Sequence, residues 1–262
     1  MPLKIHVVDA FTDKLFKGNP AAVIILDNWL SDELMQSIAI ENNLSETAFL
    51  VKSGTAYDIR WFSPIMEIAF CGHGLLAAAS VLFGFDPALE STTFKAKAVG
   101  EITARKLDDG CIAMDFPNRK PKPVQNFPEA LLKGLSITPT EVLANEQAYF
   151  AVYECEADVL DLEQTVEHIK RLYPRDVIVT APGETVDFVS RYFWPASGGE
   201  EDPVTGSAHA GLAPFWAEKL DRKELTAYQA SKRGGHLRCR VEGDRVMVAG
   251  QTVKYLEGVI NI

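Results

Sequence analysis

Arg60-Trp61-Phe62-Ser63-Pro64 returns 131 residues later as Arg191-Tyr192-Phe193-Trp194-Pro195. Two more matches fall in step with it. Gly72-His73-Gly74, which opens an alanine-rich stretch, is matched by Gly206-Ser207-Ala208 at an offset of 134. Gly100 and Ile102 with Arg105 and Asp109 are matched by Gly235 and Leu237 with Arg240 and Asp244 at an offset of 135. The offsets grow in order, as small insertions would make them. Three matches in register argue for two copies of one unit. Such a chain is expected to face two related halves across a shared cleft and to bring two glycine-led helix starts to one site.

The elements between the matches are read from their patterns. Ile5–Phe11 is expected as a strand, Gly18-Asn19-Pro20 as a turn, and Ala21–Leu26 as a buried strand. Ser31 with Asp32 and Glu33 marks a helix start, and that helix runs to about Asn42-Asn43. Ser45–Val51 and Tyr57–Phe62 read as strands. Gly72 opens a buried helix closed by Gly84. Thr93–Met114 reads as hairpins, and proline- and lysine-rich Pro117–Pro123 as a linker. In the second half Pro128–Leu135, Thr140–Ala144 and Val159–Leu172 are expected as helices, and Asp176–Thr180 as a strand. A helix after Gly206 should be kinked by Pro214, and the tail from Leu237 is strand-like. The predicted fold is α+β, with two similar pseudo-symmetric domains, each a curved sheet or barrel around a central helix. The expected domains are 1–117 and 118–262, with the last strand a candidate to return to the first.

Composition narrows the function classes. The chain has 262 residues, 47% of them hydrophobic, enough for a sizeable core. A net charge of −10 without a basic stripe speaks against nucleic-acid binding. No apolar run approaches the roughly 18 residues of a membrane span. Met1–Val8 reads straight into a strand rather than a signal peptide. Cys71, Cys111, Cys155 and Cys239 lie far apart, which fits a reducing cytoplasm better than disulfides or a zinc site.

Several residues could carry chemistry. A helix N-terminus offers unpaired N–H groups and partial positive charge. Gly72 and Gly206 therefore suit a small carboxylate, or they only permit tight turns. Neither cluster follows a nucleotide-binding glycine pattern. Glu46 sits at a polar-to-apolar junction, where desolvation would raise its pKa and suit it to proton transfer; alternatively it is an exposed strand glutamate. His73, at a helix start that disfavours a charged ring, is a neutral hydrogen-bonding group or a packed cap. Asp202 is a second acid/base or a turn former, and Ser207 flanks the same helix start. The other histidines read as structural. Cys71 precedes a helix start, which tends to lower a thiol pKa. Its second-half equivalent is Thr205, too weak an acid for a two-thiol racemase, so a buried apolar role fits Cys71 better.

The combined pattern resembles the phenazine-biosynthesis PhzF-like family, within the diaminopimelate-epimerase-like superfamily. The resemblance runs through Asp9-Ala10-Phe11-Thr12, Gly18-Asn19-Pro20-Ala21-Ala22-Val23 and Asn43-Leu44-Ser45-Glu46-Thr47-Ala48-Phe49. It continues through Cys71-Gly72-His73-Gly74, Asp202–His209 and Arg233-Gly234-Gly235. It implies a cofactor-free isomerase or epimerase that moves a proton on a small carboxylate-bearing substrate, often as a homodimer. Glu46 would be the acid/base, and His73, Asp202 and Ser207 would position substrate or relay protons. Gly72, Gly74, Gly206 and Asn19 would bind substrate, and no metal is implied. The chain departs from the family at Gly74-Leu75, where Ala or Pro and then Thr are common. Two other readings stay open at this point: an idle binding module on the same fold, and a thiol racemase using Cys71.

Overall fold

Two compact units make up the chain, Met1–Phe116 with Ala249–Ile262, and Pro117–Val248. The second unit is thus inserted into the first, and the segment after Val248 goes with the first. The structure is a computed structural model and describes residues 2–197 and 199–262; Met1, which heads the expected first domain, and Gly198 lie outside it.

In the first unit, β1 (Pro2–Ala10) pairs antiparallel with β2 (Asn19–Leu26) on one side and with the C-terminal strand Thr252–Asn261 on the other. Helix α1 (Asp32–Asn42) crosses from β2 to β3 (Glu46–Ser53), which runs parallel to β2. The Ser31 hydroxyl caps α1 by accepting from the Leu34 N–H at 3.3 Å, and Asn43 ends it in the left-handed region at φ 47°. β3 pairs antiparallel with β4 (Ala56–Phe62). β4 pairs antiparallel with β5 (Glu67–Ile68) and parallel with β6 (Ser91–Ala96). Helix α2 (Gly72–Phe85) connects β5 to β6, and β7 (Gly100–Lys106) and β8 (Ile112–Pro117) continue antiparallel.

Alternation along these strands sorts the two faces. Ala22, Ile24, Phe49 and Phe62 pack with Met35, Ile38 and Ala39 of α1. On the other face α2 lies against β1, β2 and β3. Its run Leu75–Ala79 is wholly buried, so this is a helix apolar all round, as a sheet-wrapped core helix must be. Each fully buried leucine or phenylalanine contributes roughly 1.5–3 kcal/mol of transfer free energy.

The second unit repeats these pairings. β9 (Lys122–Pro123) and β11 (Ala148–Val152) flank β10 (Glu141–Ala144), both antiparallel. A short α3 (Glu129–Lys133) precedes β10. α4 (Glu156–Asp161) and α5 (Val166–Ile169), with a 3-10 turn Lys170–Leu172, lead from β11 to a parallel β12 (Asp176–Pro182). β13 (Phe188–Trp194) pairs antiparallel with β12 and β14 (Gly199–Asp202) and parallel with β15 (Glu224–Gln229). A 3-10 turn, Gly206–Ala208, opens α6 (His209–Leu220) between β14 and β15. β16 (Gly235–Glu242) and β17 (Arg245–Gly250) follow. Every pairing among β1–β7 has its counterpart among β10–β16, in the same order and sense.

The matched arginines show the repeat in atomic detail. Arg60 grips Glu67 through two nitrogens at 2.7 and 2.8 Å, and Arg191 grips Glu201 the same way at 2.8 and 3.1 Å. Each guanidinium lies over the phenylalanine two residues on, Phe62 at 5.1 Å and Phe193 at 5.0 Å.

Four expectations need correction. α2 runs past Gly84 to Phe85, with Asp86 at its C-cap, because the position needs no left-handed backbone. Within Thr140–Ala144, Glu141–Ala144 is a strand, since pairing to β9 and β11 overrides its helical propensity. Val159–Leu172 is broken after Asp161, where Leu162 turns extended. Pro117–Pro123 is no free linker. The Arg119 N–H donates at 3.0 Å to the Ala210 carbonyl, the acceptor that Pro214 cannot serve. The Arg119 carbonyl accepts from Asn145 Nδ2 at 2.9 Å. Gly211 permits this approach, because a Cβ there would lie 3.1 Å from the Arg119 oxygen. With that carbonyl satisfied, α6 runs through Pro214 as one helix.

Candidate active site

A turn that only glycine can make delivers the first side chain. Gly18 has φ +63°, and a Cβ on it would lie 2.1 Å from the Ala10 carbonyl oxygen. It sets Asn19, wholly buried, at the start of β2 opposite Ala10. Glu46 starts β3 beside Ala21, and it is 3% exposed. His73, in the first turn of α2, brings its Nε2 to 2.7 Å from Glu46 Oε2. The contact is close but not aligned as a hydrogen bond, so Glu46 Oε2 is a buried oxygen without an aligned donor. Asn19 Nδ2 donates to His73 Nδ1 at 3.0 Å. When the ring takes a second proton, the same amide serves by presenting its oxygen.

Cys71 is the N-cap of α2. Its sulfur accepts from the Gly74 N–H at 3.2 Å and sits 3.4 Å from His73 Nδ1. Gly74 is needed for packing: a Cβ there would lie 2.8 Å from Trp61 Cδ1. Burial, then the Glu46 carboxylate, pushes the Cys71 thiol up to about 11, so it keeps its proton at neutral pH. Burial also opposes a charged His73 ring, but the Cys71 sulfur and Glu46 outweigh it and raise the His73 pKa well above its usual value. With Cys71 protonated, the anion facing the ring is Glu46. The direction is opposite to the lowering that a helix start alone would give.

Glu46, Cys71 and His73 offer ligand atoms within 4.8 Å of one another. Both ring nitrogens are already engaged, by Glu46 and Asn19, and the thiol holds its proton. A cation would have to displace all of these, so the set fits proton transfer better than metal binding. A surface cavity of about 1180 Å³ in the same unit, lined by Leu3, His6, Trp29, Tyr57 and Phe85 among others, shares no residue with this cluster.

Asp202 and Ser207 belong to the second unit and to separate networks. Asp202 Oδ2 accepts from the Thr205 hydroxyl at 2.5 Å. Gln229 ties this turn together, accepting from the Thr205 N–H at 2.8 Å and donating to the Asp202 carbonyl at 2.8 Å. Ser207 Oγ accepts from Gln147 Nε2 at 2.9 Å. Gly206 sits in the 3-10 turn that carries Ser207. His209, wholly buried, donates from Nδ1 to the Thr205 carbonyl at 2.9 Å, and burial lowers its pKa to about 4.

So the structure brings Asn19, Glu46, Gly72, His73 and Gly74 together with Cys71, and it places Asp202, Gly206 and Ser207 around the other helix start. The sequence reading passed over Gln147, Gln229 and Asp176. Gln147 and Gln229 carry no local signal. Asp176 had one, standing 130 residues after Glu46 and so nearly at the offset of the matched arginines.

The family model for phenazine biosynthesis-like protein matches residues 8–258. An uncharacterized isomerase of Pseudomonas aeruginosa is 47% identical, with both chains covered in full. A crystal structure of a PhzF-family phenazine biosynthesis protein from Enterococcus faecalis superposes with a TM-score of 0.93 at 41% identity, again over both chains. A hydroxyproline epimerase from Agrobacterium vitis, 12% identical with a TM-score of 0.65 over 99% of this chain and 91% of its own, shares the fold alone. The repeated α+β unit, the glycine-led helices and these matches together make the chain a member of the phenazine biosynthesis-like, or PhzF, family.

Proposed function

We propose that the protein is a cofactor-independent isomerase or epimerase that moves a proton on a small carboxylate-bearing molecule, with Glu46 as the acid/base group. The observation that carries this reading is the buried Glu46–His73 pair at 2.7 Å, with one Glu46 oxygen lacking an aligned donor. A carboxylate held dry beside an imidazole is ready to take a proton from carbon. The C–H bond breaks, its electron pair delocalises into the substrate's carboxylate or conjugated system, and Glu46 holds the proton. Its return to the same carbon gives an epimer; its return to another gives an isomer. His73 supports the charge on Glu46, and Asn19 fixes the ring. Asp202 and Ser207 position substrate on this reading, and the amides of Gly72 and Gly206 suit its carboxylate.

The thiol reading loses support from the Cys71 environment, since a thiol pushed up to about 11 is a poor base at neutral pH.

Incubation in heavy water with a panel of small amino, hydroxy and cyclic carboxylates, read by mass spectrometry, tests the proposal. Deuterium enters at carbon in the wild type, and Glu46→Gln lowers the rate by about 10²-fold or more. Unchanged exchange in Glu46→Gln removes Glu46 from the mechanism.

A further inference from the structure

Register assigns Glu46 a counterpart. Thr47 lies opposite Phe62, and Val177 lies opposite Phe193. Ala21 lies beside Glu46, and Ala148 beside Asp176. Asp176 therefore holds in the second unit the place of Glu46 in the first, one residue before the strand crosses the arginine hairpin. By the same matching, Tyr192 stands for Trp61 and Ser207 for His73.

The connection from carboxylate to helix start differs between the units. In the first it is direct. In the second it runs through two side chains: Tyr192 OH to Asp176 Oδ2 at 2.6 Å, Gln147 Nε2 to Tyr192 OH at 3.0 Å, and Gln147 Nε2 to Ser207 Oγ at 2.9 Å. Hydrogen counting fixes the direction of this chain. An ionised Asp176 can only accept, so Tyr192 must give it the phenol proton. Tyr192 can then only accept from Gln147, which must present its NH2 group. That group has two hydrogens, and the second goes to Ser207. Ser207 accepts it, and its own O–H is left to donate, with no protein acceptor among the described residues. An amide does not pass protons along, so this chain orients and does not relay.

We propose that Asp176, through Tyr192 and Gln147, sets the Ser207 hydroxyl as an outward hydrogen-bond donor for the carboxylate of the ligand. Asp176, Tyr192 and Gln147 are positioning residues; only Ser207 touches the ligand. The inference rests on the reading of Ser207 as a substrate-positioning group. Burial lifts the Asp176 pKa to about 6, Tyr192 holding it down in part, so the group is mostly ionised at pH 8, where the chain has this polarity.

Acetate and its neutral isostere acetamide are the probes, titrated at pH 8 into nitrogen-15-labelled full-length protein while the Gly206 and Ser207 amide signals are followed. Tyr192→Phe breaks the chain and keeps the ring, and Asp176→Asn removes the charge that sets its direction. Wild type is expected to prefer acetate, and each variant to lose about ten- to a hundredfold in acetate affinity with acetamide unchanged, the size of one lost hydrogen bond to a charged group. A merely structural role would weaken both probes together. Equal loss of both, unchanged acetate binding in both variants, or no acetate preference in the wild type each overturns the proposal. Heavy-water exchange is run on the same samples. Absent exchange with an intact acetate preference sinks the isomerase reading and leaves the donor chain standing.

Discussion

His209 shows how one buried side chain sets a pH response. Its ring is wholly enclosed between the Thr205 carbonyl and Phe188, and its pKa falls to about 4 from an ordinary value near 6.5. The unfolded chain therefore takes up a proton between about pH 6.5 and pH 4 that the folded chain refuses. Stability from this group is full above pH 6.5 and is lost as pH falls toward 4, at most about 3 kcal/mol. Urea unfolding of wild type and His209→Gln at pH 7.5 and pH 4.5 checks this: the gap between the two proteins should shift toward the variant at the lower pH. A gap independent of pH would refute the assignment. The sequence assigned His209 a structural place but held no hint of its pKa, which depends on Phe188 and Thr205 closing around it. The same holds for Cys71. Its position at a helix start suggested a lowered pKa, while burial and Glu46 raise it. Local sequence gives the helix end, and only the fold gives the desolvation.

At the scale of elements, the two arginine hairpins are built alike but set differently. Arg60 is 24% exposed, and its third nitrogen reaches Asp32, itself 70% exposed. Arg191 is 15% exposed, and its Nη1 serves the carbonyls of Val159 and Leu162 at 3.2 and 2.6 Å, where α4 ends. Lysine cannot make the two-nitrogen grip or reach those carbonyls together. Arg191→Lys should cost about 1–3 kcal/mol, leaving buried acceptors unmet, and Arg60→Lys under about 1 kcal/mol. Denaturant midpoints of the two variants measure this, and equal costs would contradict it. The hairpins were the most legible elements in the sequence, because an arginine two residues before an aromatic survives in both copies. The strand starts were not. Glu46-Thr47 and Asp176-Val177 share only the acid and a spacing of 130 residues, so their equivalence rests on pairing register. β10 and the break after α4 were misread for a related reason: both are decided by partners distant in sequence, namely β9 for the strand and Arg191 for the break.

For the molecule as a whole, the repeat was legible and the nesting only in part. Proline-rich composition near residue 117 suggested a linker, yet that segment is held by the carbonyl Pro214 leaves free, a contact no composition reveals. Nesting makes a prediction about truncation. Ending the chain after Val248 strips β1 of its pairing with Thr252–Asn261 along Pro2–Ala10 and removes Gly250 and Gln251, which pack on Phe11 and bond Thr12. The first unit loses the partner on one side of β1, while the pairings described among β10–β16 are all kept. Hydrogen exchange should show β1 and β2 opening in the truncated chain, with β11–β13 protected as before. Equal loss across both units would show that their stabilities are not separable.

Insertion of one unit inside the other also orders events during synthesis. A ribosome finishes Pro117–Val248 before it makes the strand that β1 awaits. The unit that starts first in the chain is therefore completed last, and β1 leaves the ribosome with one ladder of backbone N–H and C=O groups unmatched until Thr252–Asn261 arrives. The interval in which a nascent chain is open to pairing with its neighbours is thus set by the length of the inserted unit.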